Sequence, residues 1–193
     1  MPEHPAEYKG RSVVVVRTVD ELRAWLLEHG AASDAVWVTV WKKAAGPGAL
    51  TYGQIVEESL CHGWIDSTVN TFDDTSFLML LAPRKKGSVW AATNKERVAR
   101  MTAEGRMRQT GQRVIDAAKT DGSWTILDPV EAMIEPEDLI VAIDAAGMRA
   151  EWEAMTPGRR KQVLYQLVLA KTAPTRAKRI DGAVDALRAG RDT

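Results

Sequence analysis

The chain has 193 residues, of which 45% are hydrophobic, and its 26 basic residues balance 26 acidic ones. A chain of this length buries a core without disulfides, and its single cysteine excludes an internal disulfide and any zinc site built from several cysteines. Because it has no apolar run of roughly 18 residues and no apolar signal segment in residues 1–9, we expect a cytoplasmic protein that does not insert into membranes. Composition leaves open whether it is a monomer or a homodimer.

The first part of the sequence predicts strands that alternate with capped helices. The elements, in chain order, are a strand at 13–16, a helix from the Thr18–Glu21 capping box to Gly30, a strand at 35–42, a helix from Thr51 to His62, and a hairpin with strands at 64–72 and 76–82. This order of strands and helices predicts a small mixed four-stranded sheet that is packed with helices.

From Ser88 onward the sequence predicts only helices. They run from Ser88 to about Ala103, from Gln109 to Thr120, from Pro136, from Thr156-Pro157, and from Ala173 to about Ala189. The acidic stretch 128–136 is expected to be a linker. The fold class is therefore α+β, with a mixed domain at 1–127 and an all-helical C-terminal lobe at 128–193 packed on it.

Asp66 is the first candidate functional residue. It alternates with Trp64 along a strand, so both side chains should lie on one side of the sheet. A carboxylate beside an indole is suited to binding a cationic group or to acting as a base. The alternative is a structural ion pair with Arg84 or Lys86.

A second candidate feature is the basic segment before Ser88. Arg84 and Lys86 precede the predicted helix start, where free backbone N–H groups favour an anion. On that helix Asn94 lies in the same apolar stripe as Trp90, so it either secures the loop or lines a pocket. Residues 84–113 carry 9 basic and 2 acidic residues, which either attract an anionic ligand or neutralise acidic parts of the fold.

Cys61 and His62 invite a catalytic interpretation that helical geometry disfavours. Cys61 falls in the last turn of its helix, where the helix dipole is negative and opposes a thiolate. Glu58 and His62 lie four residues apart, which suits either two metal ligands or an ion pair. We favour the ion pair, and we expect no metal and no cofactor.

With these residues in view, the sequence resembles the YdeI/OmpD-associated, or bacteriocin-protection, family. The resemblance rests on residues 60–66 (Leu-Cys-His-Gly-Trp-Ile-Asp), on 82–90 (Ala-Pro-Arg-Lys-Lys-Gly-Ser-Val-Trp), and on 170–180 with Ala-Lys-Thr and Thr-Arg. It spans roughly residues 19–190 and implies an α+β protein of the bacterial cytoplasm with a loose link to protection or stress resistance. It implies no established reaction. Departures from the family pattern at 68–71 and 80–81 imply a less cationic and more apolar pocket than in its relatives, and His62 stands where relatives usually have Phe.

These observations lead to three hypotheses. The first is a protection- or resistance-type protein that binds a small molecule of unknown identity, with a pocket formed by Trp41, Trp64, Asp66, Arg84, Lys86, Ser88, Trp90 and Asn94. The second is an enzyme that uses Asp66 or His62 as an acid–base group. The third is a protein-interaction module that uses its basic faces. A nucleic-acid partner is disfavoured because the net charge is zero and RNA- or DNA-binding motifs are absent.

Overall fold

The computed structural model describes residues 4–42 and 50–191. These residues divide into two compact units. The first unit comprises residues up to 88 together with 93–122, and the second comprises 89–92 together with 123–193. The chain therefore enters the second unit briefly at residues 89–92, returns to the first, and leaves it after Gly122.

The first unit is built on a mixed five-stranded sheet. Its strands are β1 (Glu7–Tyr8), β2 (Arg11–Val14), β3 (Val36–Trp41), β4 (Trp64–Thr71) and β5 (Ser76–Pro83), and their spatial order is β1-β2-β3-β5-β4. Only β2 and β3 are parallel, and they are connected through a helix. The mixed sheet and the α+β class are confirmed.

The prediction of four strands was wrong because β1 was missed. This strand has two residues and pairs with β2 in a tight hairpin. Lys9 and Gly10 form its turn with φ angles of 49° and 71°, which is the left-handed geometry that a two-residue hairpin turn requires. Two residues are too few to show the alternation from which a strand is predicted.

Two capped helices cover one face of this sheet. They are α1 (Val19–His29) and α2 (Tyr52–Cys61), and Thr18 and Thr51 cap them as the sequence predicted. Apolar side chains from both helices and from alternate strand positions form the core; they include Leu22, Leu26, Val38, Val40, Ile55, Trp64, Met79 and Leu81. Burial of this apolar surface is the main term that stabilises the unit.

Two further helices complete the first unit. They are α3 (Ala92–Ala103), whose first residue belongs to the second unit, and α4 (Gln109–Thr120). The prediction that Ser88 caps α3 was wrong, because the helix begins four residues later. Ser88 instead donates its backbone N–H to the carbonyl of Lys85 in a turn. An anion site at a helix start beside Ser88 therefore has no basis in the structure.

The second unit is helical, as predicted for the C-terminal part. Its helices are α5 (Asp128–Glu131), α6 (Glu137–Ala145), α7 (Arg149–Ala154), α8 (Pro157–Val168) and α9 (Ala173–Arg191). Their core includes Leu139, Ile143, Trp152, Leu164, Leu167, Ile180, Val184 and Leu187. No helix in the described ranges is long and apolar enough to cross a membrane.

Candidate functional site

A hydrogen bond between Tyr52 and Asp66 is the centre of the candidate site. Tyr52 is the first residue of α2, and its hydroxyl donates to the Asp66 carboxylate. Asp66 lies on β4 opposite the buried Leu81, so it shares a face of the sheet with Trp64, as the alternation predicted. Tyr52 is 45% exposed, and solvent therefore reaches this pair.

The Tyr52 phenol is neutral at physiological pH. Partial burial and the hydrogen bond to Asp66 raise its pKa to about 12, and the nearby charge of Arg97 only partly opposes this shift. The single hydroxyl proton therefore remains on Tyr52 and is directed at Asp66.

Arg97 brings a positive charge to the same place from α3. Its Nη1 donates to the side-chain oxygen of Asn94, 3.0 Å away and one helical turn earlier. Across residues 4–42 and 50–191, no carboxylate lies within 4.0 Å of the Arg97 guanidinium. A neutral amide thus orients this cation, which leaves its charge available to another group.

Arg84 contributes a second, largely buried guanidinium. It follows β5, where its backbone N–H donates to the Gly63 carbonyl at 2.9 Å, and it is 9% exposed. Burial lowers the pKa of Arg84 to about 10, although the negative charge of Asp66 acts to raise it. Arg84 is therefore still cationic at neutral pH. We name Tyr52, Asp66, Arg84, Asn94 and Arg97 the Tyr52 cluster.

The structure does not bring Trp41 to this cluster, so the three-tryptophan pocket was wrong. Trp41 pairs with Ser76 at one end of β5, whereas Trp64 pairs with Pro83 at the other end. Ser76 and Pro83 are seven positions apart along β5, which is roughly 23 Å. Trp41 donates its indole N–H to the Val16 carbonyl at 2.6 Å, so its position has a structural explanation.

The remaining predicted site residues have other surroundings. Trp64 is 2% exposed and its ring contacts Trp25 in the core. Trp90 belongs to the second unit, where it contacts Trp124. Lys86 is exposed and Ser88 is half-buried. Of the predicted polar residues, Asp66, Arg84 and Asn94 therefore belong to the Tyr52 cluster.

His62 belongs to a separate ion cluster around Glu58. Arg23 donates two hydrogen bonds to the Glu58 carboxylate at 2.8 and 3.0 Å, Arg106 donates one at 3.3 Å, and His62 Nε2 lies 3.4 Å from it. Burial alone would raise the pKa of Glu58, but His62, Arg23 and Arg106 outweigh it and lower the pKa to about 2. The predicted Glu58–His62 contact is thus present. The His62 side chain is 4% exposed, so it is poorly placed to act on a ligand.

Cys61 is expected to resist alkylation at neutral pH. It is fully buried, and burial together with the charge of Glu58 raises the pKa of its thiol to about 11. We expect iodoacetamide at pH 7.5 to label Cys61 only in denaturant, as measured by intact mass. Stoichiometric labelling of the folded protein within minutes would contradict this interpretation.

Sequence reasoning missed Tyr52 and Arg97. Helical periodicity alone predicts Tyr52 in the inward apolar stripe of α2, yet it lies at the first turn and its hydroxyl donates to Asp66. Arg97 could have been found from its spacing, because residues three apart on a helix are neighbours and Asn94 had already been singled out. Groups of three or more side chains that could bind a metal are absent from the described residues.

Comparison with known proteins identifies two sequence families along the chain. Residues 14–114, which include the whole Tyr52 cluster, match the model of a domain of unknown function, DUF8412. Residues 132–190 match the family described as bacteriocin-protection, YdeI or OmpD-associated. No curated protein and no solved structure matches the chain.

The predicted resemblance is therefore confirmed for residues 132–190, whereas its blocks at 60–66 and 82–90 fall within the DUF8412 match. The chain belongs to the DUF8412 family, and its C-terminal part carries the bacteriocin-protection, YdeI or OmpD-associated domain.

Proposed function

We propose that the first unit binds a small molecule through an anionic group at the Tyr52 cluster. The observation that carries this proposal is the orientation of Arg97 by Asn94 without a carboxylate partner in the described residues. A guanidinium held by a neutral group keeps most of its N–H donors for a ligand, and planar carboxylates and phosphates match their geometry.

The surroundings of Arg97 support a ligand site rather than a simple surface charge. Arg97 is half-buried, and its charge acts on Tyr52, whose hydroxyl is fixed by Asp66. Fixed polar groups lose little conformational entropy when a ligand binds. The exposed edge of Tyr52 gives a small molecule access from solvent.

The biological role we propose is protection or resistance in the cytoplasm. It is supported by the description of the family that matches residues 132–190, which includes bacteriocin protection. In this role the first unit recognises a small molecule, and binding is the activity.

Small anions are expected to raise the thermal stability of the protein through Arg97. A ligand that binds only the folded state at 100 times its Kd adds about 2.7 kcal/mol, so a thermal-shift screen with acetate, propionate, benzoate and phosphate reports binding. Replacing Arg97 with glutamine removes a charge-assisted contact worth about 1.5–3 kcal/mol, so we expect affinity to fall roughly 10- to 100-fold.

Arg11→Gln provides the matched control for this experiment. Arg11 is exposed on β2, two strands away from β5, and its Nη1 donates to the Ala35 carbonyl at 3.5 Å. The Arg11→Gln variant changes the net charge by the same amount as Arg97→Gln. Because Arg11 is not part of the Tyr52 cluster, the anion affinity of this variant should equal that of the wild type. Equal losses in both variants would indicate nonspecific screening and would overturn the proposal.

The hydrogen bond between Tyr52 and Asp66 favours one second candidate, an enzyme with Asp66 as its acid–base group. If a bound molecule is also converted, Asp66→Asn should abolish turnover at saturating ligand concentration, so that the loss appears in kcat. Full turnover in this variant would exclude Asp66 as the acid–base group.

A further inference from the structure

The hydrogen-bond directions in the Tyr52 cluster restrict its ligand further. A phenol has one proton, and Tyr52 directs that proton at Asp66. Towards any other neighbour the Tyr52 oxygen therefore presents only lone pairs. The Asp66 carboxylate is likewise only an acceptor. Tyr52 and Asp66 together form an acceptor surface.

Arg97 presents hydrogen-bond donors and a positive charge close to this acceptor surface. It is a donor and a cation, and Asn94 occupies one of its five N–H groups. Arg100, one helical turn after Arg97, forms an ion pair with Glu57 of α2, and the Arg108 backbone N–H, beyond the end of α3, donates to the Cys61 carbonyl at the end of α2. The turn of α3 that carries Arg97 therefore lies towards the start of α2, where Tyr52 is, and the charge of Arg97 acts on Tyr52. The cluster therefore offers hydrogen-bond acceptors and the negative charge of Asp66 next to the N–H donors of Arg97 and the positive charges of Arg97 and Arg84.

A molecule that complements this arrangement carries a monoanion and a hydrogen-bond donor of its own. We propose that the ligand is an amino acid-like zwitterion, whose carboxylate pairs with Arg97 and whose ammonium donates to Tyr52 Oη and Asp66. This inference rests on the proposed anion site. A dianion such as phosphate suits the site less well because Asp66 repels it and no donor meets Tyr52.

Asp66 is the specificity-determining residue in this proposal. An ammonium pairs with its negative charge, whereas a simple carboxylic acid leaves that charge without a new partner. Asp66→Asn removes the charge and also places an N–H donor where the ammonium would donate. Tyr52→Phe removes the second acceptor but leaves the carboxylate in place.

The test compares amino acids with analogues that lack the amino group. Alanine is paired with propionate and phenylalanine with 3-phenylpropionate, and each Kd is measured by calorimetry at pH 7 on the full chain. In the wild type we expect each amino acid to bind at least about 10-fold more tightly than its analogue, the effect of one charge-assisted contact. In Asp66→Asn we expect the ratio to fall below about 3, with analogue affinity unchanged or higher.

Three controls separate this inference from the proposed anion site. Arg97→Gln should weaken both members of each pair, and Arg11→Gln should weaken neither. Tyr52→Phe should reduce the ratio partially, which gives an independent readout if Asp66→Asn is unstable. If the analogues bind as tightly as the amino acids and their binding still depends on Arg97, the zwitterion inference is overturned but the anion site stands. If neither class binds the wild type in an Arg97-dependent manner, the anion site and the inference both fail.

Discussion

Replacing Glu58 with glutamine is expected to lower the free energy of unfolding by about 3 kcal/mol. The Glu58 side chain is 2% exposed, and its carboxylate accepts two hydrogen bonds from Arg23 and one from Arg106. Breaking a buried ion pair from one side leaves the other charges uncompensated, which typically costs about 3–5 kcal/mol. Arg23 and Arg106 are about 30% exposed, and solvation of their guanidinium groups keeps the cost at the lower end.

Asp20→Asn is the matched control, because Asp20 contacts the same arginine. Its carboxylate lies 2.6 Å from Arg23 but is 88% exposed. A solvent-exposed pair contributes about 0–1 kcal/mol, so this variant should be close to the wild type in urea unfolding. A Glu58→Gln variant that loses no more stability than Asp20→Asn would show that burial of the cluster contributes nothing.

The Glu58 cluster also predicts how stability depends on pH. The pKa of Glu58 is about 2 in the folded protein and near 4.5 ordinarily. A lowered folded-state pKa stabilises the protein above pH 4.5, and this contribution disappears as the pH falls to 2. The difference between these two pKa values corresponds to about 3 kcal/mol in the free energy of unfolding. Urea titrations should therefore show the difference between wild type and Glu58→Gln shrinking between pH 5 and pH 2.

The helix starts of this protein were predictable because capping chemistry is local. Thr18, Thr51 and Thr156 each accept a backbone N–H bond from three residues later, as their sequence contexts indicated. The buried face of α9 was predictable for a similar reason, since Ile180, Val184 and Leu187 repeat at helical spacing and are buried.

Strand register and element boundaries set by tertiary contacts were not predictable. Nothing local indicates that Trp41 and Trp64 lie at opposite ends of β5, because that follows from pairing between distant segments. The start of α3 was placed at Ser88 because serine is a strong cap. The chain instead passes through the second unit at 89–92 before the helix begins.

The candidate site was predicted where its residues are close in sequence and missed where they are not. Asp66, Arg84 and Asn94 stood out within residues 60–94. Tyr52 precedes this stretch by eight residues and reaches Asp66 only because α2 packs on β4. Helical periodicity assigned Tyr52 to the core, but a side chain in the first turn of a helix lies at its edge and is free to turn outward.

Substituting Gly111 with alanine is expected to destabilise the protein by about 2 kcal/mol. Gly111 is buried on α4, and a methyl group there would lie 2.3 Å from the carbonyl oxygen of Cys61 and 2.7 Å from Met107 Sδ. The first contact is with backbone, so α4 must move away from the end of α2. Overpacking of this kind costs about 1–3 kcal/mol or more and exceeds the roughly 1 kcal/mol that alanine gains over glycine in a helix.

Gly53→Ala is the matched control, and its effect on the stability of the protein should have the opposite sign. Gly53 lies in the first turn of α2, and within the described residues no heavy atom beyond its chain neighbours and the local helix backbone lies within 4 Å of the position a methyl group would take. Alanine there should stabilise the protein by about 0.5–1 kcal/mol, because it restricts the unfolded chain. Urea unfolding of both variants separates close packing from helix preference. If Gly111→Ala also stabilised the protein, the close packing around Gly111 would be contradicted, since the contacts with Cys61 and Met107 distinguish the two substitutions.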